Sequence, residues 1–214
     1  MNASDEFESL NIDQLRALEQ ALHEGSAEAS TALAKWIGKA SLVEIDALEQ
    51  IALEEATSVL AQGDDAICFC ILGIEGPLHG EMILAFDDAC GLALADMLLD
   101  QPAGTSSAWE EMEVSAALET ANIVCSAYLN ALSRNLTNSE NRELLPTPPR
   151  FHRDFPESLL EFALIGQAIA SDEVIFALTR FEIDSVSVNW TLLFVPDAQT
   201  RTQLPHLLAG RAPE

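Results

Sequence analysis

The chain has 214 residues, with 35 acidic against 10 basic side chains and a formal charge of −25. Nucleic acids and anionic membranes are met through a basic footprint, so this balance excludes a simple binder of either. Apolar residues make up 49 % of the chain, which excludes a solvated acidic tail and predicts one compact domain, or two small halves sharing a core.

No apolar run approaches the roughly 18 residues of a membrane helix. The opening MNASDEFESL lacks the basic and apolar regions of a secretory signal. Both observations predict a soluble, cytoplasmic protein. Cys68, Cys70, Cys90 and Cys125 show no CxxC spacing, and three of them sit in apolar runs, so they read as reduced core residues. On a strand, Cys68 and Cys70 would share one face. His23, His79, His152 and His206 are dispersed without metal-ligand spacing.

Along the chain, Leu15, Leu18, Leu22, Ala29, Leu33 and Trp36 recur at helical spacing and predict a long helix from about Asn11 to Gly38, with Gly25 marking a bend or a tight crossing. A strand is expected over Ser41–Ile51, then a short helix over about 54–61 ended by Gly63. AICFCILGI (66–74), a turn over Gly76–Gly80, and EMILAF (81–86) predict a hairpin. Asp87 and Asp88 are placed to cap a helix reaching about Leu99, and 101–107 reads as a linker. The second half repeats the order. A helix is expected from about Trp109 to Arg134, a proline-rich loop over 135–153 and a helix from Pro156 to about Ala170. A hairpin of 173–183 and 186–195 follows, then a short helix to Leu208 and a frayed end. Repetition of this order predicts an α+β fold of two pseudo-symmetric halves, about 11–100 and 109–208 within one 1–214 domain. Its sheet is largely antiparallel, with two long helices on one face.

Ser115, Glu119, Asn122 and Ser126 fall at i, i+4, i+7 and i+11 of the second long helix, opposite its apolar positions. Every surface helix has a polar stripe, and a solvated face is the plain reading. This stripe, however, contains no lysine or arginine, and sets a carboxylate three residues from a neutral amide.

The stretch SAALETANIVCSAYLNALS (115–133) resembles the second helix of the CheC/CheX/FliY phosphatases of bacterial chemotaxis, and CheC most of all. Ser115, Glu119 and Asn122 match their Asp/Ser-x3-Glu-x2-Asn motif. Ala117-Leu118, Asn122-Ile123, Tyr128-Leu129 and Ala131-Leu132-Ser133 match its flanks. Pro146 stands near the motif's later proline position, while Pro149 with Asp154 is closer to its Pro-x4-Asp pattern. In two-site members the first long helix carries another copy. Here Arg16, Gln20 and His23 replace its three polar residues, which implies a degenerate, silent first site.

The resemblance implies hydrolysis of the aspartyl-phosphate of a CheY-like response regulator, with Glu119 and Asn122 as catalytic residues and Ser115 in binding. It implies no cofactor in this chain, since the partner receiver brings its own Mg²⁺. CheD, which stimulates some members, is a further partner the resemblance suggests. The competing reading is a non-catalytic receiver-binding adaptor or a flagellar-switch module. FliY-like switch proteins usually carry a further C-terminal domain, and the end of the chain soon after the second half points away from that alternative.

Overall fold

The computed structural model describes residues 10–60, 65–136, 143–158, 173–183 and 186–208. Helix α1 (Ile12–Ile37) starts at Asn11, whose side chain accepts from the Asp13 and Gln14 amides, while the Gln14 side chain accepts from the Asn11 amide. It stops at Gly38, whose left-handed φ of 73° suits a residue without Cβ. Strand β1 (Ser41–Ala52), helix α2 (Leu53–Leu60), strands β2 (Ile67–Glu75) and β3 (Gly80–Asp87) and helix α3 (Asp88–Leu98) follow. Helix α4 (Glu111–Asn135) opens the second half. After it come β4 (Leu145–Pro146), β5 (Arg150–Asp154), β6 (Glu173–Ile183), β7 (Val186–Pro196) and α5 (Ala198–Leu208).

Among the described residues all strand pairs are antiparallel, and the seven-stranded sheet runs β1-β6-β7-β3-β2, with β4 and β5 sharing the outer edge of β2. Exchanging β1, β2 and β3 for β5, β6 and β7 reverses this order without changing it. Each half therefore lends its first strand to the edge of the other.

Strand β2 explains its own continuous apolar run, because both its faces are buried. Cys68, Cys70, Leu72 and Ile74 point into the main core beneath α1 and α4. Ile67, Phe69 and Ile71 point the other way, into a smaller cluster with Ala56 and Leu60 of α2. The two cysteines thus share a face, as their spacing predicts. Burial raises the thiol pKa of Cys68, Cys70 and Cys125, and none of the four cysteines is in a disulfide. In the main core the Trp190 ring stacks on Phe86 at 3.9 Å between centroids and meets Phe181 at 5.2 Å.

Gly25 marks a crossing. A Cβ there would lie 2.5 Å from Tyr128 Cδ1 and 2.9 Å from Tyr128 Cα, so the two long helices meet backbone to backbone at this point.

Two expectations change. The loop expected over 135–153 contains β4 and most of β5. Strand β5 is five residues, RFHRD, too short and too charged to show as alternation. It forms because the long apolar β2 needs a partner on its outer edge, and Ile67–Ile71 pair with Asp154–Arg150. The stretch 101–107 is not a free linker but is held by α3, as described below. The helix expected over 156–170 lies, after Ser158, outside the described residues, as do Gly63 and the chain end beyond Leu208. Among the described residues no helix is long and apolar enough to cross a membrane.

Candidate functional site

Helix α4 carries the stripe, and its neighbours hold it at both ends and in the middle. At its start, the Asp96 carboxylate is buried and accepts the backbone N–H groups of Gly104 (2.7 Å), Thr105 (3.0 Å) and Ser106 (2.8 Å). Burial alone would raise the Asp96 pKa, but hydrogen bonds from Ser106, Gly104 and Thr105 outweigh it and the net shift is downward. Ser106 passes the constraint on through its hydroxyl, which donates to Glu113 in the first turn of α4 at 3.1 Å, and Glu113 accepts from the Glu110 amide.

A second carboxylate, Asp88, ties three elements together. It accepts from Trp109 Nε1 at 2.8 Å just before α4, from the Arg153 guanidinium of β5 at 2.6 to 3.1 Å, and from the Cys68 thiol of β2 at 3.4 Å. The Arg153 guanidinium is the main reason its pKa lies down at about 2. Trp109 packs against Phe151 and Phe86.

Further along, the Tyr128 hydroxyl meets Ser26 Oγ at 3.0 Å, and burial pushes its pKa up to about 12. Near the C-terminal end, Asn135 donates to Glu24 at 2.9 Å and Arg134 pairs with Glu28. Helix α1 thus supports α4 through a close crossing and three polar links.

So supported, α4 buries Ala117, Ala121, Val124, Cys125, Tyr128 and Leu132. It leaves Ser115 and Glu119 exposed, with Asn122 and Ser126 half-buried beside them. A rise of about 1.5 Å per residue sets Glu119 and Asn122 one turn apart on this face. Among the described residues no hydrogen bond or ion pair engages the side chains of Ser115, Glu119 or Asn122. A carboxylate, an amide and a hydroxyl are therefore all available to something outside the chain.

The corresponding face of α1 is engaged with itself. Gln20 donates to Glu24 at 3.2 Å, Arg16 lies 3.7 Å from Asp13, and His23 Nε2 lies 3.9 Å from Glu19 Oε1. Glu19, four residues before His23, is thus a carboxylate on the same face. Pro146 lies in β4 opposite Ile74 and Pro149 directly precedes β5; both are half-buried. Among the described residues no group of three or more His, Cys, Asp or Glu converges as metal ligands. Of the groups that hold the site helix, sequence reasoning read Asp88 only as a helix cap, a role that falls to Asp87, and Trp109 only as a helix start, and it passed over Asp96 and Arg153. Asp96 left a signal, an acidic residue inside the otherwise apolar LALADMLL.

A cavity elsewhere, lined in part by Leu60, Asp87, Cys90, Arg153, Phe176 and Leu178, includes none of the stripe residues.

No protein-family model matches the sequence, and no curated protein matches it. Solved structures do share its fold. FliY from Thermotoga maritima superposes with a TM-score of 0.76 at 13 % identity, covering 96 % of this chain and 100 % of that one. The FliM middle domain from H. pylori gives 0.68 at 13 % identity, covering 92 % and 99 %. The chemotaxis protein CheX from Desulfovibrio desulfuricans gives 0.52 at 12 % identity, covering 83 % and 99 %.

Proposed function

We propose that this chain, which has the fold of CheC, CheX and FliY proteins, hydrolyses the aspartyl-phosphate of a CheY-like response regulator through one site on α4. The observation that carries the proposal is the pair of exposed Glu119 and half-buried Asn122, without partners among the described residues, on a helix braced from behind. Hydrolysis of an acyl phosphate asks little covalent chemistry of a helper protein. It needs a water held in line with the phosphorus and a stable encounter.

Asn122 enters the receiver's site and orients the water through its amide, which both donates and accepts. The water oxygen bonds to phosphorus as the bond from phosphorus to the aspartyl oxygen breaks. The receiver keeps a carboxylate, inorganic phosphate leaves, and the water's proton passes to phosphate or solvent. Charge decides which residue stands closest. A carboxylate 4 Å from a phosphoryl charge would be repelled by roughly 4 kcal/mol per unit charge at an effective dielectric of 20, so the neutral amide takes the inner place. Glu119, one turn away, pairs with the receiver's lysine beside the phosphate and fixes the docking. Ser115 extends the contact by a further turn. The receiver supplies the Mg²⁺ that neutralises charge on the phosphoryl oxygens.

The test is phosphate release from CheY-like receivers of the same genome, phosphorylated with acetyl phosphate in Mg²⁺. Wild type accelerates release and Asn122→Ala does not; equal acceleration by both, or none by either, removes the activity. Higher TM-scores to FliY and FliM than to CheX favour a second reading, a switch-type module that binds the receiver without turnover. Tight binding of a phosphorylated receiver without release would select it.

A further inference from the structure

Among the described residues eight large apolar side chains are exposed, and Met112, in the first turn of α4 and 60 % exposed, is the one on the helix that carries the stripe. It precedes Ser115 by three residues and Glu119 by seven, which places it on the same helix face, one turn before the stripe begins. Its immediate predecessors Glu110 and Glu111 are exposed carboxylates. An unbranched thioether on a rigid helix end, bordered by acid, is suited to an apolar depression rimmed by basic groups. Its base is firm: the Asp96 network and the Ser106 to Glu113 hydrogen bond fix this turn, so little ordering is needed on contact.

We infer that Met112 is a specificity-determining anchor which seats in an apolar pocket of the phosphorylated receiver, bordered by lysine or arginine. The inference rests on the phosphatase reading for its partner. It adds a distance. Met112 and Asn122 are ten residues apart, so the pocket lies about 15 Å along the helix direction from the phosphorylated aspartate. Because Met112 touches no reacting atom, it acts on encounter alone.

The experiment measures phosphate release over a range of acetyl-phosphate-loaded receiver concentrations, together with equilibrium binding of the beryllofluoride-loaded receiver, for Met112→Ala, Met112→Glu, Met112→Leu and Asn122→Ala. Met112→Ala is expected to raise KM about five- to twentyfold at unchanged kcat, Met112→Glu to raise it further, and Met112→Leu to stay near wild type. A benzoylphenylalanine at position 112 should photocross-link to a receiver surface about 15 Å from the phosphoaspartate. Unchanged KM and binding in Met112→Glu, with Asn122→Ala inactive, overturn the anchor and leave the phosphatase reading standing. Should Asn122→Ala release phosphate like wild type, the phosphatase reading fails; binding lost in Met112→Glu would then still support the anchor, and binding retained would overturn it.

Discussion

The faces of α1 and α4 are built on one plan, and they differ in where their polar groups are spent. On α1, Arg16, Gln20 and His23 each lie within reach of a carboxylate three or four residues away on the same helix. Pairs of that kind are worth a few tenths of a kcal/mol and close the surface on itself. On α4, Ser115, Glu119 and Asn122 have no such partner among the described residues, although Glu113, Arg134 and Asn135 of the same helix are all engaged. A helix can thus be stabilised at its ends and along its buried side while one stripe is left free for a partner. The contrast also assigns different jobs to charge. The stripe holds one carboxylate, free of the fold, whereas Asp96, Asp88 and Glu113 are spent on holding the elements around it. On the proposed function, recognition of the receiver rests on short-range contacts, which are little screened once the interface closes.

The comparison breaks most readily at Asn122. Asn122→Ala should lower receiver dephosphorylation by about a hundredfold, the scale of a lost positioning group, whereas His23→Ala should change it by less than about twofold. Equal losses in both would show that α1 shares the work. Next in size is the contact that lets α1 brace α4. Gly25→Ala gains helix propensity of about 1 kcal/mol but drives a methyl into Tyr128, and a net loss of about 1–3 kcal/mol is expected in urea unfolding. A neutral result there would mean that the helices separate freely. Glu119→Ala should weaken binding of the phosphorylated receiver about tenfold, read by titration, with a smaller effect on kcat. An unchanged affinity would remove Glu119 from docking.

The smallest effect is in acid. Asp88 falls from an ordinary 3.8 to about 2, chiefly through Arg153, and Asp96 is also shifted downward. Carboxyls with depressed folded pKa stabilise the fold above the unfolded value and lose that contribution as pH falls. The wild type should therefore lose stability between about pH 4 and pH 2. Arg153→Gln should flatten that limb modestly, because Asp88 is partly exposed and its ion pair is screened. A limb of unchanged slope would show that the Asp88 cluster does not contribute to stability in acid.

Much of this molecule is legible in local sequence. The periods of Leu18, Leu22, Ala29 and Leu33 and of Ala117, Ala121, Cys125 and Tyr128 place two long helices and their buried sides, because a half-buried helix must repeat its apolar residues every 3.6 positions. Apolar runs separated by the turn residues Gly76 to Gly80 place a hairpin for a similar reason. The stripe is readable too, since helical spacing puts Ser115, Glu119 and Asn122 on one line. What periodicity does not carry is long-range pairing. That RFHRD is a strand depends on β2 offering an edge about 80 residues earlier. Residues 101–107 are fixed because a carboxylate of the preceding helix is buried against their amides. Whether Gly25 bends α1 or lets another helix approach depends on Tyr128, 103 positions away. The sequence by itself determined which faces are apolar and which residues are polar enough to act. Only the tertiary structure decided which of those polar residues are already satisfied, because hydrogen-bond partners are set by packing between distant segments and not by spacing within one.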